Sequence, residues 1–311
     1  RLRPLVKGIF RIAMLTQEEL GHSIPVQMVP VGLDYYHYQN FRRSLLIQFG
    51  DPIDVSKFLP LYWENKPKAF NAMRDILAQK LNQLMIDIRN DSFYDAIQEL
   101  RFIYTPHFVE RDHYAAFRFD KHLTSMLDQI AQEQPEKLES LAAKVRELKE
   151  GTEKLNLRYW LFRKKAVQSY PFLPSVLLLV LGFPLFLYGL FHNILPYWFP
   201  VHFIRIRKVK DPQFHSSFKF ALAFLMFPAM YLLFFLASLF VLPHLWMSLL
   251  YLLSLPATGL FAFKYFIIWK KVKGFWCFKR MKKRREPYLM SLIQLHDDII
   301  QMVQPLVTSP L

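Results

Sequence analysis

The sequence predicts an α/β segment, then an amphipathic helical region, then an α-helical multi-pass membrane region. Three observations carry this. Apolar, β-branched runs closed by Gly and Pro fall before residue 60, as short strands do. Between Lys66 and Leu157 apolar residues recur three and four apart, the period of a helix with one buried face. Ala166–Ile204 and Phe220–Phe263 contain no Asp, Glu, Lys or Arg, and uncharged apolar runs of about 18 residues or more are candidate membrane spans.

Composition agrees. Hydrophobic residues make up 53% of the 311 residues and Phe alone contributes 30, yet the formal net charge is +15. Apolar and basic residues must therefore be segregated, as in a membrane protein with its cations held at one leaflet. A basic chain can also bind nucleic acid, but no nucleic-acid-binding motif accompanies the charge, so no nucleic-acid partner is expected. The single cysteine, Cys277, excludes an internal disulfide framework. The opening residues lack the apolar core and small-residue cleavage site of a secretory signal.

Residues 1–60 form the α/β segment. "PLVKGIFRIAML" places Leu5, Ile9, Ile12 and Ala13 on one helical face and Lys7 and Arg11 on another. "SIPVQMVPVGLDY" reads as one strand, and "SLLIQFGDPIDV", closed by Gly50 and Pro52, as a second. A helix followed by two strands is expected to be the trailing part of a larger sheet, because two or three strands make no stable core alone. The chain opens on a basic, helix-forming run without methionine, and its true start is expected to be missing.

Residues 61–165 form the helical region. Phe70, Met73, Ile76, Leu77, Leu81 and Leu84 make one amphipathic stripe. After Pro135, Leu138, Leu141, Val145 and Leu148 make a seam too short for an independent coiled coil, so a helical hairpin packed on its neighbours is expected.

Residues 166–285 form the membrane region. Pro243 and His244 divide the second apolar run into spans of about 220–242 and 245–269; the first would be about 34 Å long as a helix. The first run, 170–204, is either re-entrant, since Gly182, Pro184, Gly189 and Pro196 break it, or a single tilted span. Basic stretches precede both runs, and Lys270–Arg285 carries nine Lys and Arg and no acid. These place the α/β segment and the basic C-terminal flank on the cytoplasmic side, the flank against anionic lipid headgroups. Trp160, Tyr197, Trp198, Trp246, Trp269 and Trp276 sit near run ends as interfacial anchors would. Residues 286–311 read as a short amphipathic tail.

Few residues suggest chemistry. Arg3, Lys7 and Arg11 recur every four residues, so a helix aligns them, and Arg and Lys at a helix start suit phosphate; a solvated basic face is the plainer alternative. His107 and Asp112, in "HFVERD", have the spacing of a catalytic His-x4-Asp pair, though a surface or packing role is the simpler reading. His192, His202, His215 and His244 flank apolar runs and suit helix ends. "LHDD", residues 295–298, suits a solvated helix face. Asp34 ends the Val-Pro-Val strand, where lining the cleft and serving as a turn residue are both open. Cys277, beside the basic cluster, is read as a plain interfacial or buried thiol. No metal-ligand pattern is present, and no metal or cofactor is expected.

Three stretches in order carry a resemblance: Leu2-Pro4-Lys7-Gly8, Val29-Pro30-Val31 and Phe49-Gly50-Pro52-Ile53. Together they resemble the glycerolipid acyltransferase family over about 55 residues, and "KVKDPQFHSSFKFA" extends the likeness loosely toward its membrane-bound glycerol-3-phosphate branch. The resemblance implies transfer of an acyl group from acyl-CoA or acyl carrier protein to glycerol-3-phosphate or 1-acylglycerol-3-phosphate. It implies that Arg3, Lys7 and Gly8 lie near the acceptor phosphate and that Val29, Pro30 and Val31 shape the cleft wall. The family's His-x4-Asp and Phe-Pro-Glu-Gly motifs precede the Lys-Gly segment, so no catalytic residue is expected within Arg1–Leu311. A non-catalytic, membrane-anchored scaffold with a vestigial acyltransferase segment is the alternative.

Overall fold

The structure, a computed structural model, describes residues 2, 4–21, 24–35, 45–109, 112–207 and 213–308. Helix dominates, and sheet among the described residues is confined to two antiparallel pairs. In chain order the elements are α1 (Gly8–Leu20), β1 (Gln27–Met28), β2 (Val31–Tyr35), β3 (Leu45–Phe49), β4 (Ile53–Asp54), α2 (Leu59–Glu64), α3 (Lys66–Gln83), α4 (Tyr94–Phe108), α5 (His113–Glu133) and α6 (Pro135–Lys154). They continue with α7 (Lys164–Gln168), α8 (Phe172–Leu181), α9 (Phe183–Ile206), α10 (Gln213–Val241), α11 (Leu245–Lys283) and α12 (Pro287–Thr308). The chain divides into two compact units: one runs through Gly151 and takes in the chain again from Leu292, and the other contains Thr152–Ser291.

In the first unit each expected strand is broken in two. β1 pairs with β4 and β2 with β3. Pro30 and Pro52 fall in the gaps, and proline has no N–H for a ladder. The hairpin stays continuous because Gly50 N–H donates to Pro30 O at 2.9 Å and Val55 N–H to Val26 O at 2.9 Å. In the β2–β3 register Val31 faces Phe49, Leu33 faces Ile47 and Tyr35 faces Leu45. All six are exposed, so one whole face of this hairpin is apolar and open. On the other face a Cβ at Gly32 would collide with Leu84 O; only glycine permits that approach.

Helix α1 and the residues before it bury only part of the predicted face, Ala13 and in part Leu5. Phe10, Ala13, Met14 and Gln17 are buried, whereas Ile9 and Ile12 are exposed. The helix has two apolar stripes, and the one with Phe10 and Met14 joins Met28, Ile53, Val55 and Met73 in the core. Gln17 fastens the helix to the first strand: its Nε2 donates to Gly21 O at 2.6 Å, and its Oε1 accepts from Val26 N–H at 2.7 Å. Helix α3 starts at Asn65, whose side chain accepts from Lys68 N–H at 3.0 Å, with Pro67 in the first turn. It ends where Lys121 of α5 donates to Asn82 O at 2.9 Å and Gln83 O at 2.5 Å, a cation at a helix C-terminus. The seam Leu138, Leu141, Val145 and Leu148 of α6 is fully buried.

The second unit contains α7 to α11. Phe214–Val241 of α10 and Leu245–Lys283 are long and apolar enough to cross a membrane, and α8 and α9 form a broken pair bent by 64° at Gly182. Helix α9 lies close against α11: a Cβ at Gly189 would collide with Thr258 O, and one at Gly259 would lie 2.6 Å from Asn193 Oδ1. Small residues at such crossings let backbones approach. Asn193 bridges the helices, donating to Gly189 O at 2.8 Å and Leu255 O at 3.3 Å while accepting from Tyr231 of α10 at 2.5 Å. Helix α11 does not stop at Trp269 but runs unbroken to Lys283.

Candidate functional site

The predicted phosphate site is the start of α1. Lys7 occupies the N-cap position without a side-chain cap, and no acid lies in the first turn. Lys7, Gly8 and Arg11 are all exposed, and Arg11 N–H donates to Lys7 O at 3.1 Å, so both cations sit on the first turn. The burial of Phe10, Ala13 and Met14 turns these cations outward. A Cβ at Gly8 would meet nothing within 4 Å, leaving the open backbone N–H groups of the turn accessible to an anion. The preceding strand of chain is tied down where Leu2 N–H donates to Asp87 Oδ1 at 3.2 Å. Arg3 lies outside the described residues.

The three predicted wall residues divide. Pro30 is buried against Gly50, whose added Cβ would lie 2.9 Å from Pro30 Cγ. Val29 and Val31 are exposed, and Val31 belongs to the open apolar face of the β2–β3 hairpin.

A buried polar cluster went unrecognised in the sequence. Arg101 and Asp120 are 8% and 3% exposed. Arg101 Nη2 donates to Asp120 Oδ2 at 3.0 Å and Nη1 to Gln98 Oε1 at 2.9 Å, while Thr105 Oγ1 donates to Asp120 Oδ1. Burial pushes the Asp120 carboxyl up, against the pull of Arg101 and Thr105, and Asp34 pushes it further. Asp34, in β2 and not in a turn, is itself raised by burial and pulled down by Arg101. The signal was available: Arg101 and Thr105 interrupt the apolar face formed by Ile97, Leu100 and Tyr104, and Asp120 interrupts that of Phe117, Leu123 and Leu127.

The His107/Asp112 spacing does not make a catalytic pair. Asp112 caps α5, accepting from Tyr114 N–H at 2.9 Å and Ala115 N–H at 3.1 Å. His107 instead meets His296, the two Nε2 atoms 3.2 Å apart. His296 is 1% exposed, so of "LHDD" the histidine is buried while Asp297 and Asp298 keep the solvated face; the His296 Nδ1 lies 3.1 Å from Asp297 Oδ1. His192 is likewise no helix end. It is buried within α9, its Nδ1 2.8 Å from Tyr188 O, with the rings of Tyr188, Phe191, Phe234 and Tyr251 around it. Among the described residues no three His, Cys, Asp or Glu side chains gather in a metal-binding arrangement.

The chain is 26% identical over 110 residues to glycerol-3-phosphate O-acyltransferase 1 of Saccharomyces cerevisiae, and 24% identical over 109 residues to an uncharacterized acyltransferase of Schizosaccharomyces pombe. Each match takes in 34% of this chain. About a third of the chain is thus similar to acyltransferases. It spans only 14% and 16% of the length of those two relatives. No protein-family profile and no solved structure matches the chain.

Proposed function

We propose that the chain is part of a membrane-bound glycerolipid acyltransferase, in which it supplies the acceptor-phosphate side of the site and the membrane anchor. The observation that carries this reading is the exposed Lys7–Gly8 helix start, followed in order by the Val-Pro-Val and Phe-Gly-x-Pro-Ile strands, in a chain similar over a third of its length to a glycerol-3-phosphate acyltransferase. Lys7, with Arg3 and the N–H groups beyond Gly8, holds the phosphate of glycerol-3-phosphate or 1-acylglycerol-3-phosphate through charge-assisted hydrogen bonds. Val29, Pro30 and Val31 wall the cleft. The acceptor hydroxyl attacks the thioester carbonyl of acyl-CoA or acyl carrier protein. The new ester C–O bond forms as the C–S bond breaks, and the thiol leaves with the proton lost by the hydroxyl.

That step needs a base, and the family's His-x4-Asp pair lies ahead of the Lys-Gly segment. In this reading residues 1–60 belong to the acyltransferase α/β domain, 61–165 to a helical region and 166–285 to a multi-pass membrane region, with both basic flanks cytoplasmic. Reading the coding sequence ahead of the Arg1 codon tests the proposal: an open frame carrying His-x4-Asp and then Phe-Pro-Glu-Gly is expected.

One observation favours a second reading, a non-catalytic membrane-anchored scaffold: Asp112 is spent on capping α5, so the His-x4-Asp spacing inside the chain forms no dyad. A frame without the upstream pair would select the scaffold.

A further inference from the structure

Helix α11 outlasts its apolar stretch. Leu245–Phe263 carries no charge and at 1.5 Å per residue is about 28 Å long, close to the ~30 Å of a bilayer's hydrocarbon core. From Lys264 the same helix continues to Lys283, about 30 Å more. No acid occurs between Phe220 and Arg285, and among the described residues no Lys or Arg of this extension is in an ion pair.

One side of the extension is partly buried, with Lys264, Ile267, Lys271, Lys279 and Lys282 exposed on it. Tyr265, Phe275, Phe278 and Met281 are buried. Phe275 packs within 6.4 Å, ring centre to ring centre, of Trp160, Tyr170 and Phe172. Phe172 opens α8, the first half of the broken apolar pair, and Trp and Tyr concentrate at the ends of membrane helices. The outward face carries Phe266, Trp269, Lys270, Lys273, Trp276 and Arg280, all exposed. At 3.6 residues per turn these six fall in one stripe about 120° wide. Within it each cation lies over the ring four residues earlier: Lys270 Nζ 4.4 Å from Phe266, Lys273 Nζ 5.4 Å from Trp269 and Arg280 Cζ 5.4 Å from Trp276. The rings hold the cations in place without neutralising them.

We propose that this stripe binds the phosphate-bearing headgroups of anionic membrane lipids. The aromatic rings seat at the level of the headgroups while three unneutralised cations, one or two turns apart, take up the phosphates. The proposal does not depend on the acyltransferase reading. Its occupant is a lipid surface, because the stripe is continuous with an apolar helix of membrane length and alternates rings with cations, as interfacial helices do.

Cys277 lies inside the stripe and is the chain's single cysteine, so it can carry one environment-sensitive fluorophore. The labelled full chain is reconstituted in phosphatidylcholine nanodiscs containing a minor fraction of headgroup-spin-labelled lipid, either phosphatidylserine or phosphatidylcholine. The expected result is several-fold stronger quenching by the anionic lipid, weakening with salt; a single cation near an anionic surface is worth about fivefold in occupancy. Lys270→Gln/Lys273→Gln/Arg280→Gln should cut the preference several-fold, the six remaining cations of Lys270–Arg285 keeping part of it, whereas Lys270→Arg/Lys273→Arg keeps it whole. Removing three exposed charges elsewhere, with Lys57→Gln/Lys68→Gln/Lys137→Gln, should leave it intact. Equal quenching by both lipids in the wild-type chain, or an undiminished preference in the glutamine variant, would overturn the proposal. So would displacement of the lipid by inorganic phosphate or by polyglutamate, which would assign the stripe to a free anion or an acidic peptide.

Discussion

Arg101 of α4 and Asp120 of α5 form a buried ion pair, Nη2 to Oδ2 3.0 Å, with Thr105 donating to the other carboxylate oxygen. Asp34 of β2 acts electrostatically on both partners. The pair therefore ties α4 to α5.

Removing one partner leaves the other charge buried and alone, which costs about 3–5 kcal/mol. Asp120→Ala is therefore expected to lower the unfolding free energy by that order. The double replacement Arg101→Met/Asp120→Leu is expected to recover most of it, since a well-packed apolar pair can match a buried salt bridge. Denaturant titration of the purified full chain checks both.

The Asp34 carboxyl gives a pH dependence of definite sign. Burial raises its pKa above the ordinary value of 3.8, outweighing Arg101. Between those two values the folded chain holds the proton and the unfolded chain releases it, so stability falls as pH rises through that window. Asp34→Asn should flatten this fall. Unfolding midpoints measured from about pH 3.5 upward for both chains test it; a wild-type stability that rises faster than the variant's over the window would contradict it.

The Asp112 side chain distinguishes a cap from a catalytic partner. Asp112→Asn keeps an oxygen for Tyr114 and Ala115 N–H and should be nearly silent, while Asp112→Ala should cost about 1 kcal/mol of stability. Neither change, nor His107→Ala, is expected to alter the proposed acyl transfer when it is assayed in the reading frame that encodes this chain. Transfer abolished by both His107→Ala and Asp112→Asn would restore the pair as catalytic.

The close crossing of α9 and α11 predicts intolerance of side chains at Gly189 and Gly259. Gly189→Val forces the helix off Thr258 O, and Gly259→Val drives a branched group into the Asn193 amide. Overpacking of this kind costs about 1–3 kcal/mol. Thermal unfolding in detergent should show both variants less stable than Gly8→Ala, where the added carbon meets open space.

Much of this architecture was legible in the sequence because hydropathy is local. The seam Leu138–Leu148, the break at Pro243–His244 and the apolar lengths of α10 and α11 follow from spacing alone. What failed was the choice between two faces of one helix. Helix α1 offers Ile9–Ile12 and Phe10–Met14, and only the tertiary packing with Met28 and Ile53 selects the second. Polar residues on buried faces mislead in the same way: His192 reads as a helix end and His296 as part of a solvated face until their neighbours on other helices are known. Lys7 and Gly8, the residues proposed for the acceptor phosphate, follow from motif order. The charges that act on Asp34 are not legible that way, because Arg101 and Asp120 lie far away in the chain.

The most direct test of the proposed function is acceptor kinetics on the full reading frame that encodes Arg1–Leu311. Membranes containing it are assayed with acyl-CoA and labelled glycerol-3-phosphate, with and without Lys7→Ala. Loss of one charge-assisted hydrogen bond is worth roughly 1.5–3 kcal/mol, so the variant is expected to raise the KM for glycerol-3-phosphate by about tenfold or more while kcat changes little. No acylated product from the wild-type frame, or an unchanged KM in the variant, would contradict the assignment of Lys7 to the acceptor phosphate.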